Sequence, residues 1–286
     1  MKKKIIDCEL RVVHKEARNQ NFKINKNERI YKDVFSHKKL KSAKKLWSIE
    51  KTLDSMKKNN IKFGLLSPLA WNDEERQNKN NRYVNQCLKK YDKLFKGFYI
   101  PYLKKPKLIE KKILSLNKKN YVGIEIIPKW QNIKIDEINF DGIANAIIKK
   151  KFFLKIYCAH PFQNSDSDIF RILRFKKKYP KLKIILPHLG GLLCLWQSYP
   201  PLRKEISKIN FITSVSASMK MVKFASELNF KNLIFGTDFP FNHSFDQKTS
   251  INNFLKLKIN SNKEKYILEK NANRLFGFYK NKLNKQ

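Results

Sequence analysis

Phe235-Gly236-Thr237-Asp238-Phe239-Pro240 is the stretch whose reading decides the fold. A short apolar run, Leu233 to Gly236, reads as a β-strand, and a carboxylate follows at its C-terminal end. Two other runs finish the same way, one in Tyr157-Cys158-Ala159-His160-Pro161 and one in Leu186-Pro187-His188-Leu189-Gly190-Gly191. In a parallel barrel the C-terminal ends of all strands share one rim, so residues far apart in sequence converge on one cavity. Two histidines and an aspartate on such a rim are the usual kit for a hydrolytic metal site with an acid/base. The chain has only five histidines, and two of them stand at these positions.

Working outward, short β-branched runs alternate with polar, helix-like stretches along the chain, the pattern of repeated βα units on a parallel sheet. Eight strands are expected: Lys4 to Cys8, Lys62 to Leu66, Gly97 to Pro101, Val122 to Ile127, Phe153 to Cys158, Lys183 to Leu186, Phe211 to Val215 and Leu233 to Gly236. Helices are expected between them at Ser48 to Asn59, Asn80 to Tyr91, Pro106 to Leu116, Phe140 to Lys149, Ser167 to Tyr179, Leu202 to Lys208, Ala217 to Leu228 and Lys248 to Leu257. A last helix starts at Ser261, with Glu264 completing a capping box, and stops at Gly277. No Gly/Ser-rich or Pro-rich linker breaks the series. The expectation is a single (β/α)8 TIM-barrel domain over residues 1–286, with an extra C-terminal helix. The exception to the alternation is Val12 to Lys45, a polar, basic segment directly after strand one. A loop this long in a compact domain is functional or disordered, and here it would lie on the active-site face.

Composition sets the outer limits. Hydrophobic residues make up 42% of 286, enough for a sizeable core. The longest apolar runs are far too short to span a bilayer, so no membrane is expected. Met1-Lys-Lys-Lys-Ile-Ile-Asp7 begins basic, but two apolar residues before an acid do not make a signal peptide. Cys8, Cys87, Cys158 and Cys194 are widely spaced and read as reduced thiols in a cytoplasmic protein. The net charge of +38 invites a nucleic-acid reading. Only nine of the 62 basic residues are arginines, and the lysines are scattered. Lysine, asparagine and isoleucine all have A/T-rich codons, so the charge reads as compositional drift over solvated helix faces. No specific nucleic-acid partner is expected, only weak polyanion affinity.

The three strand-end motifs, in this order and spacing, resemble the amidohydrolase-related family that includes aminocarboxymuconate-semialdehyde decarboxylase and metal-dependent hydrolases, lactonases and hydratases. The segments that carry the resemblance are H-P at His160, H-x-G-G at His188 to Gly191, G-T-D-F-P-F at Gly236 to Phe241, and the tail Asn271-Ala272-Asn273-Arg274-Leu275-Phe276-Gly277. Tyr83-Val84 and Leu94 to Phe98 also resemble the family's second helix and third strand, so the similarity covers roughly residues 3 to 279. The resemblance implies His160 as a metal ligand and His188 as a catalytic, substrate-polarising residue. Asp238 would bind metal and act as general base. The metal would be zinc or manganese.

The family's first strand ends in H-x-H, and here Glu9 and Arg11 stand in the two histidine places. Their i, i+2 spacing keeps both on one strand face. Glu9 can serve as an oxygen ligand, whereas Arg11 cannot, because its guanidinium stays protonated and has no acceptor. Three readings follow: a weakened metal site of Glu9, His160 and Asp238; Arg11 as a fixed positive charge in place of the metal; or a catalytically degenerate small-molecule-binding barrel. Lys129, followed by Trp130 and Gln131 after strand four, could hold a substrate carboxylate. His243 follows strand eight, while His14 and His37 lie in the long first loop and carry no assigned role. The expected activity is hydrolysis of a C–O or C–N bond, as in a lactone or cyclic amide, in a small anionic carboxylate-bearing substrate. The alternative is non-oxidative decarboxylation, and the assembly is a possible homodimer.

Overall fold

The computed structural model describes residues 3–19, 22–36, 38–158, 168–214, 219–242 and 244–279. Eight strands form one parallel sheet in sequence order: β1 Ile5–Arg11, β2 Ile61–Ser67, β3 Phe95–Tyr99, β4 Tyr121–Ile126, β5 Phe153–Ile156, β6 Lys183–Leu186, β7 Asn210–Ile212 and β8 Leu233–Ile234. Beyond the last ladder pair, Cys8 N–H donates to the Phe235 carbonyl and Arg11 N–H to the Phe239 carbonyl, both at 2.9 Å. These bonds bring β8 back to β1 and close a (β/α)8 barrel.

β1 is longer than its apolar run suggests, because its polar C-terminal half is also buried. Its register against β2 shifts between Asp7 and Leu10. Ile6 and Cys8 pack with Leu65, Phe98, Ile185, Ile212 and Ile234 in the lower barrel interior. Past the shift the phase changes, and Glu9 and Arg11 reach across to side chains of β4 and β5. Re-aiming a side chain is what a bulge does.

The helices form where capping residues and apolar periodicity agree. Ser48 caps Ile49–Lys58, Asp73 caps Glu74–Lys90, Asp168 caps Ile169–Lys178 and Asp246 caps Gln247–Leu255, each accepting backbone N–H groups of the first turn. The second helix starts six residues before the expected Asn80, because the Asp73 cap outweighs the polar residues that follow it. The last helix is capped by Asn260 rather than by Ser261 and ends at Gly277, whose φ is 61°. Its Ala272 and Phe276 plug the lower end of the barrel. Among the described residues no helix is long and apolar enough to cross a membrane.

The segment after β1 is not featureless. It holds the short turns Lys15–Arg18, Tyr31–Phe35, Lys38–Ser42 and Ala43–Leu46. Phe22, Val34, Phe35, Trp47, Leu69 and Trp71 make a separate apolar cluster over the upper rim. The indole of Trp47 lies 5.7 Å from the Phe35 ring and 4.9 Å from that of Phe241. Most of the described basic residues of this stretch are exposed, whereas Lys44 is buried with its Nζ 5.3 Å from the Phe35 ring centroid.

At Gly123 the β4–β5 register leaves no room for a side chain. A Cβ there would collide with the Phe153 carbonyl oxygen and come within 3.0 Å of the Phe98 ring. Gly123→Ala is therefore expected to destabilise the fold by about 2 kcal/mol, as overpacking of a core does. Urea unfolding measures this, and an unchanged midpoint would show that β4 and β5 are not so closely joined.

Candidate active site

Three strands send charged side chains into the upper barrel interior. β1 supplies Glu9 and Arg11, β4 supplies Glu125, and β5 supplies Lys155. Glu9, Glu125 and Lys155 are fully buried, and Arg11 is 3% exposed. The Arg11 guanidinium is used on every edge. Nη2 lies 2.8 Å from Glu125 Oε1 and 3.4 Å from Glu9 Oε1. Nη1 donates to the Pro68 carbonyl at 3.1 Å, and Nε donates to Asp238 Oδ1 at 3.3 Å. Beneath it, Lys155 Nζ lies 3.3 Å from Glu9 Oε1, 3.2 Å from Glu125 Oε1 and 3.4 Å from Ser67 Oγ.

Burial alone would favour neutral carboxyls, but these cations decide the charge states. Burial pushes Glu9 up, yet Lys155 first, then His188 and Arg11, pull its carboxyl down to about 2. Arg11 and Lys155 likewise overcome burial and lower Glu125. Asp238 goes the other way: burial and the Glu9 carboxylate outweigh Arg11 and raise it to about 6. Its side chain, 17% exposed, opens to the cavity.

That cavity, about 550 Å³, sits at the C-terminal ends of the strands. Arg11, His188, Ser214, Thr237 and Asp238 supply its polar wall, while Trp130, Tyr157, Phe235 and Phe241 supply aromatic surface. Asp33 and Val34 of the segment after β1 also line it. His188 takes a left-handed backbone, φ 54°, and its Nδ1 contacts the Ser214 carbonyl. A carbonyl can only accept, so Nδ1 carries a proton. The Ser214 hydroxyl in turn donates to Glu9 Oε2. Asp238 also sits in the left-handed region, φ 56°, which aspartate tolerates better than most residues. Asp7 fixes the strand that leads there. It accepts Thr237 N–H at 3.0 Å, Thr237 Oγ1 at 2.6 Å, Gln247 Nε2 at 2.8 Å and Glu9 N–H at 3.1 Å. Even with these donors, burial holds Asp7 near 6.

Of the residues expected on the rim, Arg11, His188 and Asp238 share the cavity. Glu9 lies just below its floor and touches it through Arg11 and Ser214. Lys129 is not among the lining residues. Its ammonium sits 2.9 Å from Asp33 Oδ1, and Trp130 Nε1 donates to Asp33 Oδ2 at 2.7 Å, so the pair ties the β1 segment to the β4 end. His160 and His243 lie outside the described residues. Glu125, Lys155, Ser214 and Asp7 were not foreseen. The signal for the first two is plain in retrospect: a lone charge inside Val122-Gly-Ile-Glu-Ile-Ile127 and inside Phe153-Leu-Lys-Ile156. Such charges are almost never fully buried unless paired.

A closed parallel barrel with one polar cavity at its C-terminal rim defines an enzyme scaffold of the TIM-barrel class. Residues 56–278 match the family model described as Amidohydrolase, and the chain belongs to that family. No match to a curated protein was found. Among solved structures, the chain is similar to 5-carboxyvanillate decarboxylase from Sphingomonas paucimobilis, at 16% identity and TM-score 0.73, covering 96% of this chain and 99% of that one. It is similar to 2,6-dihydroxybenzoate decarboxylase from Rhizobium, at 17% identity and TM-score 0.72, covering 96% and 98%. A 5-carboxyvanillate decarboxylase from Novosphingobium aromaticivorans, with bound manganese and 4-hydroxy-3-methoxy-5-nitrobenzoic acid, matches at 16% identity and TM-score 0.75, covering 96% of each chain. At these identities the likeness is one of fold.

The described side chains do not fit a divalent cation. Glu9 and Asp238, the carboxylates expected to ligate it, are both bonded to the Arg11 guanidinium, and Lys155 lies against Glu9. Among the described residues no three His, Cys, Asp or Glu side chains converge as a metal site.

Removing one cation from this cluster has a definite cost. Lys155→Met is expected to lower stability by about 3 kcal/mol at pH 7, because it leaves buried carboxylates short of a partner. Glu9 is depressed from its ordinary 4.5 to about 2. The stability this supplies is complete above 4.5 and is lost as pH falls toward 2. The gap between wild type and variant, followed by urea unfolding, should therefore be widest at neutral pH and narrow in acid.

Proposed function

We propose that this barrel is a non-oxidative carboxy-lyase acting on a small aromatic carboxylate with a ring hydroxyl. One observation carries the reading: Asp238, a carboxyl raised to about 6, opens into an aromatic-walled cavity beside a fixed guanidinium. A carboxyl with that pKa can donate a proton near neutrality or, once ionised, accept one. The Sphingomonas and Rhizobium proteins, both decarboxylases of aromatic acids, lend support.

In this reading the substrate's carboxylate meets Arg11 and its ring lies against Trp130, Tyr157 and Phe241. His188 Nε2 accepts the ring hydroxyl's hydrogen bond and increases electron density on the ring. Asp238 gives its proton to the ring carbon that bears the carboxylate. The carbon–carbon bond then breaks, its electron pair restores the aromatic ring, and carbon dioxide leaves. Asp238, now a carboxylate, regains a proton from water. Hydrolysis of a lactone or cyclic amide, favoured by the family's name, would use the same residues but would need Asp238 ionised.

The two chemistries predict opposite pH limbs. For decarboxylation, kcat/KM should fall as pH rises through about 6, because the acid is lost. For hydrolysis it should rise. Carbon dioxide release from a panel of hydroxybenzoates, with deuterium incorporation at the vacated carbon in heavy water, gives the first measurement. Asp238→Asn should cost about 100- to 10,000-fold in turnover. No release from any hydroxylated aromatic acid, together with lactone cleavage that strengthens above pH 6, would reject the lyase reading.

A further inference from the structure

The misfit between the donor set and a metal has a structural cause. We infer that Arg11 and Lys155 form a resident pair of cations that takes the place of a divalent metal in this barrel, so that the protein holds its carboxylates together without tightly bound metal. The inference stands apart from the lyase reading, because it concerns what fills the upper barrel and not which bond is cleaved.

The geometry carries it. Glu9 Oε1 is shared by both cations, at 3.4 Å from Arg11 Nη2 and 3.3 Å from Lys155 Nζ. Glu125 Oε1 is shared in the same way, at 2.8 and 3.2 Å. The second oxygen of Glu9 accepts from Ser214. Both Glu9 oxygens are thus taken, and Asp238 Oδ1 is held by Arg11 Nε. The guanidinium and the ammonium face the carboxyls of Glu9 and Glu125, and Asp238 is a third carboxyl on the guanidinium. The cluster is close to neutral as it stands. A dication bound to Glu9 and Asp238 would sit within a few ångströms of a guanidinium and an ammonium, both more than nine-tenths buried and unable to swing into water.

Lys155 has no competing role in sight. Its Nζ faces Glu9, Glu125 and Ser67 and stands 5.3 Å from the Phe98 ring centroid. It does not line the cavity, so it is not placed to attack a bound carbonyl. A guanidinium and an ammonium each carry half the charge of a divalent ion. They can hold and orient an anion, and they cannot lower the pKa of a water as a dication does.

Metal content, not turnover, tests this. The full chain would be purified from cells supplied with manganese and zinc, without chelator, and analysed by inductively coupled plasma mass spectrometry. Metal far below one equivalent per chain, with a Tm unmoved by EDTA, is the expected result. Near-stoichiometric manganese or zinc, with a fall in Tm on chelation, would overturn the inference. In the second arm, Arg11→His with Lys155→Met removes both cations and restores a histidine beside Glu9. Its manganese affinity, followed by electron paramagnetic resonance, should rise at least about tenfold over the parent, the size of effect neighbouring groups commonly exert on a bound metal. No gain in a folded double variant would show that the cations are not what displaces the metal. Should that variant fail to fold, Arg11→His alone is titrated against the same criterion.

Discussion

A guanidinium buried between three carboxylates is the constraint on which the upper barrel depends. Arg11 joins β1 to β4 through Glu125, to the end of β2 through the Pro68 carbonyl, and to the end of β8 through Asp238. Each contact alone is ordinary. Together they span the barrel opening, so the strands that carry the candidate chemistry cannot shift independently. Burying such charges is rarely a net gain over apolar packing. Retaining them makes sense where function needs a preset field, and here that field fixes Glu9 and Glu125 as anions while Asp238 stays poised.

Asp238 differs from Glu9 for physical reasons that lie within a few ångströms. Glu9 has Lys155, Arg11 and the Ser214 hydroxyl, whereas among the described residues Asp238 has one long side-chain bond, to Arg11 Nε, and the repulsion of Glu9. Two carboxyls that share one cation therefore separate in acidity. Such separation is how one site keeps one group ionised and another able to deliver a proton near neutral pH. The backbone contributes as well. Asp7 clamps Thr237 against β1, and the left-handed turn at Asp238 points its side chain into the cavity.

Much of this was legible in the sequence. The eight strands, their order and the closing C-terminal helix follow from period-2 runs alternating with capped helices. The strand-end motifs put His188 and Asp238 on one rim, the family resemblance added Arg11 in the place of a first-strand histidine, and all three line the cavity. Glu125 and Lys155 were passed over because their strands read as continuous apolar core, and a charge there signals a partner only once the facing strand is known. Lys129 looked like an anion hook because its position after strand four is right. Nothing in local sequence shows that Asp33, 96 residues earlier, would reach it. Ser214 escaped notice for a similar reason: its role depends on a histidine and a glutamate on other strands.

The contrast between inside and outside bears on what the cavity can attract. The chain carries +38 overall, yet its upper barrel holds a nearly balanced cluster. The surplus is therefore on the surface, spread over lysines rather than gathered at the rim. A diffuse positive potential draws small anions toward the whole molecule and speeds their arrival, an effect that salt screens. It does not select among them. Among the described residues that line the cavity, Arg11 brings a fixed positive charge, with an aromatic wall around it. A carboxylate that reaches Arg11 competes with Asp238 for the same guanidinium. Drawing Arg11 away from Asp238 favours the neutral form of that carboxyl, so an anion bound at Arg11 would raise the pKa of the group beside it further.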